Sequence, residues 1–240
     1  MRIAMWSGPR NISTAMMRSW ENRPDCSVVD EPFYAAYLAR TGLEHPCREA
    51  ILESQSTDYQ EVAQTMAVSP FDTQLQYQKQ MTHHIPPDMD LHWCRELKHC
   101  FLIRDPAQVI ASYLQKMPHV DDSAIGIRRQ AQLFADIWQV TGTKPAVIDS
   151  NDVLQNPAKV LAGLCEYLKI DFLRGPMLRW PTGRRSSDGV WASHWYHNVE
   201  RSTGFGQYSA GEPALAEEHQ ALADAMYPYY TELARLRISP

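Results

Sequence analysis

The chain has 240 residues, 44% of them hydrophobic and 21% charged, with a formal net charge of −5. This length can bury a full core and suits one domain over 1–240, while the acidic balance argues against broad nucleic-acid or acidic-membrane binding and leaves room for a local basic pocket. The five scattered cysteines, Cys26, Cys47, Cys94, Cys100 and Cys165, form no C-x-x-C pair, so neither a zinc site nor a disulfide framework is indicated and a reducing compartment is expected.

In chain order, the first element is a short apolar strand, Arg2–Trp6, which breaks at a Gly-Pro turn and enters a helix over Ile12–Glu21. A strand so close to the start leaves no room for a signal peptide, and no apolar run is long enough to span a membrane, so a cytoplasmic location is expected. A strand over Ser27–Asp30 follows, then helices over Phe33–Arg40 and Asp58–Met66. Gln76–Thr82 is a further candidate strand. His99–Ile103 reads as a buried strand feeding a helix over Pro106–Lys116. Helices over Ala124–Val140 and Ala158–Leu168 bracket a strand at Pro145–Asp149. Pro176–Gly211 is rich in Gly, Ser, Arg and Trp without clear periodicity and reads as a long functional loop. The last helix, Pro213–Leu236, carries Leu215, Leu222, Met226, Tyr230 and Leu233 along one stripe, the mark of a packing helix. Strands alternating with helices predict an α/β fold with a parallel sheet covered on both faces.

Two stretches carry chemistry. The first is Ser7-Gly8-Pro9-Arg10-Asn11-Ile12-Ser13-Thr14, a tight loop between a strand and a helix. The first N–H groups of a helix lack internal partners and carry partial positive charge, so a phosphate can satisfy several at once. Gly8 permits the turn, Arg10 adds charge, and Ser13 and Thr14 add hydroxyls. An N-capped helix after an edge strand would share this pattern. The second stretch runs from Phe101 through Arg104-Asp105-Pro106 to Ser112-Tyr113. Asp105 can cap the helix, Pro106 fits its first turn, and Ser112 lies about two turns on. Arg104 and Ser112 could grip one anion from two sides; a surface arginine and a packed serine are the alternative.

Together the two stretches resemble the sulfotransferase family. In that family the first motif is a P-loop variant that holds the 5′-phosphosulfate of 3′-phosphoadenosine 5′-phosphosulfate, and Ser7–Thr14 looks like it, with Arg10 at the basic position. The second motif holds the 3′-phosphate, and Arg104 with Ser112 matches its spacing. The resemblance implies a three-layer sandwich of the P-loop nucleotide-binding type. The implied activity is sulfuryl transfer to a hydroxyl or amine of a small-molecule acceptor, with no metal. The chain departs from the family in three places. Arg10 stands where lysine is usual, Ile12 replaces a glycine, and the basic Gly loop near the C-terminus has only Gly183-Arg184-Arg185-Ser186 as an approximate counterpart. On the resemblance, Arg184 and Arg185 would cover the 3′-phosphate; a solvated basic turn is the alternative.

Sulfuryl transfer resembles phosphoryl transfer, in which positioning and electrostatic stabilisation dominate. Arg10 would stabilise charge on the leaving phosphate. Two segments offer a base. His83-His84-Ile85-Pro86 resembles the family segment in which a His-Leu-Pro carries it, His84 matching best. Glu31, in Asp30-Glu31-Pro32-Phe33, stands where some branches place a glutamate, at the edge where ligands of open α/β sheets collect. Trp191 and Trp195 are spaced i,i+4 and could line a pocket or pack in the core. His194 and His197 lack a third ligand, so no metal is assigned. The chain has no G-x-x-x-x-G-K-[ST], which weighs against an ATP- and Mg²⁺-dependent phosphotransferase. A non-catalytic protein with a degenerate loop is the remaining alternative. The acceptor and the oligomeric state are not readable from the sequence.

Overall fold

The structure, a computed structural model, describes residues 1–209, 211 and 213–239. Its centre is a five-stranded, all-parallel sheet ordered β2-β3-β1-β4-β5. The strands are β1 (Arg2–Ser7), β2 (Cys26–Asp30), β3 (Leu75–Met81), β4 (Lys98–Ile103) and β5 (Ala146–Asp149). The candidate strand near Gln76–Thr82 is thus β3, wedged between β1 and β2. Ser7 pairs with Met81 on one side and Leu102 on the other, so three strands end at one level.

The helices are α1 (Ser13–Glu21), α2 (Tyr34–Thr41), α3 (Arg48–Ser54), α4 (Tyr59–Val68), α5 (Pro106–Leu114), α6 (Asp122–Ile125), α7 (Ile127–Thr141), α8 (Ser150–Gln155), α9 (Pro157–Leu168), α10 (Arg174–Leu178), α11 (Ala192–Trp195), α12 (His197–Glu200) and α13 (Glu217–Ala234). Alternating β1 side chains feed two cores, as the period of a strand requires. Ile3 and Met5 face Met16, Met17 and Trp20 of α1 and Leu161 and Leu164 of α9. Ala4 and Trp6 face Val62 of α4, Phe134 and Ile137 of α7, and Leu233 of α13. A third cluster joins Val109 and Ile110 of α5 to Met226 of α13. Among the described residues no helix is long and apolar enough to cross a membrane.

Three predicted elements differ. The helix expected over Ala124–Val140 is two, because Gly126 turns left-handed (φ 64°) where a Cβ would sit 3.0 Å from that of His83. The last helix begins at Glu217, so Leu215 of the expected stripe lies before it. The expected loop Pro176–Gly211 contains α11, α12 and the end of α10, and Ala210 within it lies outside the described residues. Dispersed polar ties hold this segment: Trp180 Nε1 donates to Ser202 Oγ (3.0 Å), Gly183 N–H to the Glu200 carbonyl (2.7 Å), and Ser19 Oγ of α1 to the Met177 carbonyl (2.6 Å). A buried ion pair, Arg18 Nη2 to Asp188 Oδ1 (2.6 Å), fastens it to α1.

Candidate active site

A cavity of about 500 Å³ opens at the carboxyl ends of β1, β3 and β4, the edge where open parallel sheets bind ligands. Its floor is the loop between β1 and α1. Arg10 and Ile12 both take left-handed backbone (φ 59° and 53°), an uncommon conformation for side chains of this kind. The loop is held from below, where Asn11 Nδ2 donates to the Leu102 carbonyl at 3.0 Å. Gly8 is required because a Cβ there would lie 2.7 Å from the Ile125 carbonyl oxygen. Among the described residues the N-cap side chain, Ile12, makes no capping bond to α1, and the first helical residues, Ser13, Thr14 and Ala15, line the cavity.

Two arginines meet above this floor. Arg10 Nε donates to Ser112 Oγ of α5 at 3.0 Å. Arg104, at the end of β4, donates from Nη1 to the Arg10 carbonyl at 2.6 Å and from Nε to Gln108 at 3.2 Å. Among the described residues neither arginine forms an ion pair. Burial lowers the pKa of both, and Arg10 lowers that of Arg104 further. Two half-buried guanidiniums outside any ion pair, beside the start of a helix, are a chemistry that can hold an anion.

The opposite wall holds the base candidates. His84 lies on the turn after β3 and stacks on Tyr34 and Tyr37 of α2, both with ring centroids at 4.7 Å. His83 meets Tyr37 edge-on at 5.3 Å. Neither Nδ1 has a partner among the described residues. Burial pushes His83 down to about 3 and His84 well below its ordinary value, so both are neutral at neutral pH. Glu31 follows β2 in left-handed backbone (φ 41°), and its Oε1 accepts from Lys79 Nζ at 2.6 Å. Burial raises its carboxyl above the usual range, Lys79 lowers it and Asp30 raises it again.

The cavity thus gathers Pro9, Arg10, Asn11, Ile12, Ser13, Thr14, Glu31, His83, His84, Arg104 and Ser112 of the residues expected from sequence. Four others are not on its wall. Ser7 is fully buried as the last strand residue, its hydroxyl against Met81 Sδ at 3.8 Å. Gly8 makes room for Ile125. Arg184 is exposed, and Arg185 turns back to the Pro181 carbonyl and toward Glu21. Their turn is drawn to α1 by Asp188, which accepts the Arg185 N–H at 2.8 Å. The glycines that do line the cavity are Gly204 and Gly206, with Ser202 between α12 and them. Trp195 lines it also, whereas Trp191 is core. Sequence reasoning missed Lys79, Tyr34, Tyr37, His45 and Tyr196. The dense aromatics of 191–196 were the one available signal.

A family model described as a sulfotransferase domain matches residues 1–236. The chain is 31% identical over 231 residues to an Arabidopsis thaliana protein named branched-chain-amino-acid aminotransferase-like protein 2, covering 96% of this chain and 41% of that protein. It therefore spans about two fifths of that curated relative's length. The sulfotransferase domain from the curacin biosynthetic pathway shares the fold with a TM-score of 0.55 at 15% identity, over 99% of this chain and 98% of that one. Mouse sulfotransferase SULT7A1, in complex with PAP, does so with a TM-score of 0.53 at 11% identity, over 95% and 84%.

Proposed function

The chain belongs to the sulfotransferase domain family, and from that footing we propose that it moves a sulfuryl group from 3′-phosphoadenosine 5′-phosphosulfate to a hydroxyl or amine of a small-molecule acceptor, as one domain. The observation that carries this is the linked pair of Arg10, bonded to Ser112 Oγ, and Arg104, bonded to the Arg10 carbonyl, in no ion pair among the described residues and beside the start of α1. The loop amides with Ser13, Thr14 and Arg10 would hold the 5′-phosphosulfate. Arg104 and Ser112 would hold the 3′-phosphate. The bound product in the SULT7A1 structure, PAP, supports the same donor here.

In the transfer the acceptor oxygen or nitrogen forms a bond to sulfur as the bond from sulfur to the 5′-phosphate oxygen breaks. Negative charge collects on the leaving phosphate, where Arg10 and the α1 N–H groups stabilise it in place. The acceptor proton passes to a base on the opposite wall. Glu31 suits that role better than His84 or His83. A carboxylate with a raised pKa accepts a proton readily, whereas imidazoles whose pKa burial has pushed far down are weak bases. The neutral imidazoles remain able to hydrogen-bond an acceptor. The scheme uses no metal and needs no nucleic acid or membrane. Five free cysteines fit a cytoplasmic setting.

Thermal unfolding with PAP, and in parallel with ATP–Mg²⁺, tests the reading. At a hundredfold excess over Kd, ~2.7 kcal/mol of stabilisation is expected with PAP. Stabilisation by ATP–Mg²⁺ alone would replace the reading with a phosphotransferase, and none with either would leave a degenerate loop.

A further inference from the structure

The wall that carries Glu31 contains a closed knot of polar groups. Lys79 Nζ has three donors, and all are used: on Asp30 Oδ1 (3.0 Å), Glu31 Oε1 (2.6 Å) and the Tyr196 hydroxyl (2.5 Å). The Tyr196 hydroxyl also accepts from Trp191 Nε1 (3.1 Å) and donates to Asp30 Oδ2 (2.7 Å). Asp30 Oδ2 accepts once more, from the Gly189 N–H at 3.2 Å. Asp30 is therefore saturated. Glu31 is not: among the described residues its second oxygen has no partner, and the residue lines the cavity.

Charge follows the same division. One ammonium serves both carboxyl groups. Among the described residues the second oxygen of Glu31 is the one carboxyl oxygen of the knot without a hydrogen-bond partner. The Glu31 backbone is held in place, its N–H on the Lys79 carbonyl (3.0 Å) and its carbonyl accepting from Gln55 Nε2 (3.1 Å).

We propose that Lys79 is a positioning residue for proton transfer: locked by Asp30 and Tyr196, its ammonium keeps Glu31 charged and turns the free carboxylate oxygen toward the acceptor. The catalytic consequence rests on the sulfuryl-transfer reading above. The groups facing Glu31 are Lys79 of β3, Asp30 of β2, Tyr34 of α2, and Tyr196 after α11. Only Lys79 among them is a cation, and Asp30, then Glu31, hold it charged against the effect of burial. Without it, burial and Asp30 both act to keep a proton on Glu31.

The test needs no acceptor. Infrared difference titration of the full chain follows the carbonyl stretch of a protonated buried carboxyl, and calorimetry measures PAP affinity separately. In Lys79→Met that band is expected to appear at a pH about 1–3 units higher than in the wild type. It should vanish when Glu31→Gln is added, with PAP affinity unchanged throughout. An unshifted band overturns the proposal. So does a shifted band that survives Glu31→Gln, since the proton would then sit on Asp30. Tyr196→Phe removes one of the three groups that fix Lys79 and should shift the band in the same direction by less. It decides the matter by the same criteria if Lys79→Met does not fold. Loss of PAP binding by the wild-type chain would count against the donor reading alone and leave the infrared result standing.

Discussion

Arg10 and Arg104 lie 94 positions apart in sequence and one hydrogen bond apart in space, because β1 and β4 are paired neighbours. Each is therefore open to a separate test. Ser112→Ala removes the hydroxyl that receives Arg10 Nε, and should weaken PAP binding by about 1–2 kcal/mol, read by calorimetry. Arg104→Ala removes a charged donor and should cost more, about 2–3 kcal/mol, or some 30- to 150-fold in Kd. Equal PAP affinity in both variants and the wild type would remove these residues from the donor site. Both arginines and Ser112 were legible in the sequence, since a strand end, a turn and a helix start leave local marks. Lys79 was not. A lysine inside a polar run, Gln76 to Gln80, looks like a solvated strand face until β3 is seen to be inserted between β1 and β2.

The segment between α10 and α13 shows why part of the site stayed hidden. Its order comes from ties to distant elements, which leave no periodic pattern. Arg18, fully buried on α1, meets Asp188 at 2.6 Å and Glu21 at 3.2 Å. Asp188→Ala should therefore destabilise the protein by ~3 kcal/mol, at the low end for a broken buried pair because Glu21 stays. Urea unfolding checks it, and a change below about 0.5 kcal/mol would mean that the pair does not anchor the segment. The same tie explains the misplacement of Arg184 and Arg185. A basic Gly-containing turn matched the expected pattern, but Asp188 folds it back onto α1, and Gly204 and Gly206 occupy the cavity wall. The helix expected over Ala124–Val140 failed differently: its apolar spacing is continuous, and only the close approach of His83 demands the break at Gly126.

For the molecule as a whole, buried neutral histidines set the response to acid. His99 accepts from Trp6 Nε1 at 3.0 Å through Nδ1 and donates from Nε2 to the Cys94 carbonyl at 2.8 Å, so no site is left for a second proton. Burial pushes its pKa down to about 4 from 6.5. Between those values the unfolded chain binds more protons than the folded one, so stability is full above pH ~6.5 and lost as pH falls toward ~4, by about 3 kcal/mol from His99 alone. His83, at about 3, adds in the same direction. The urea midpoint should fall steadily from pH 7 to 5, and a flat midpoint would show that these imidazoles charge without cost. Alternation in the sequence pointed to a parallel sheet covered on both faces, though not to its strand order, whereas this sensitivity depends on which histidines the packing encloses. The latch from Arg104 to the Arg10 carbonyl has one more consequence. It fixes the loop between β1 and α1 through contacts internal to the chain, while Asn11 grips the same loop from beneath. On the proposed reading, a donor would need to spend little of its binding free energy on ordering the loop that receives it.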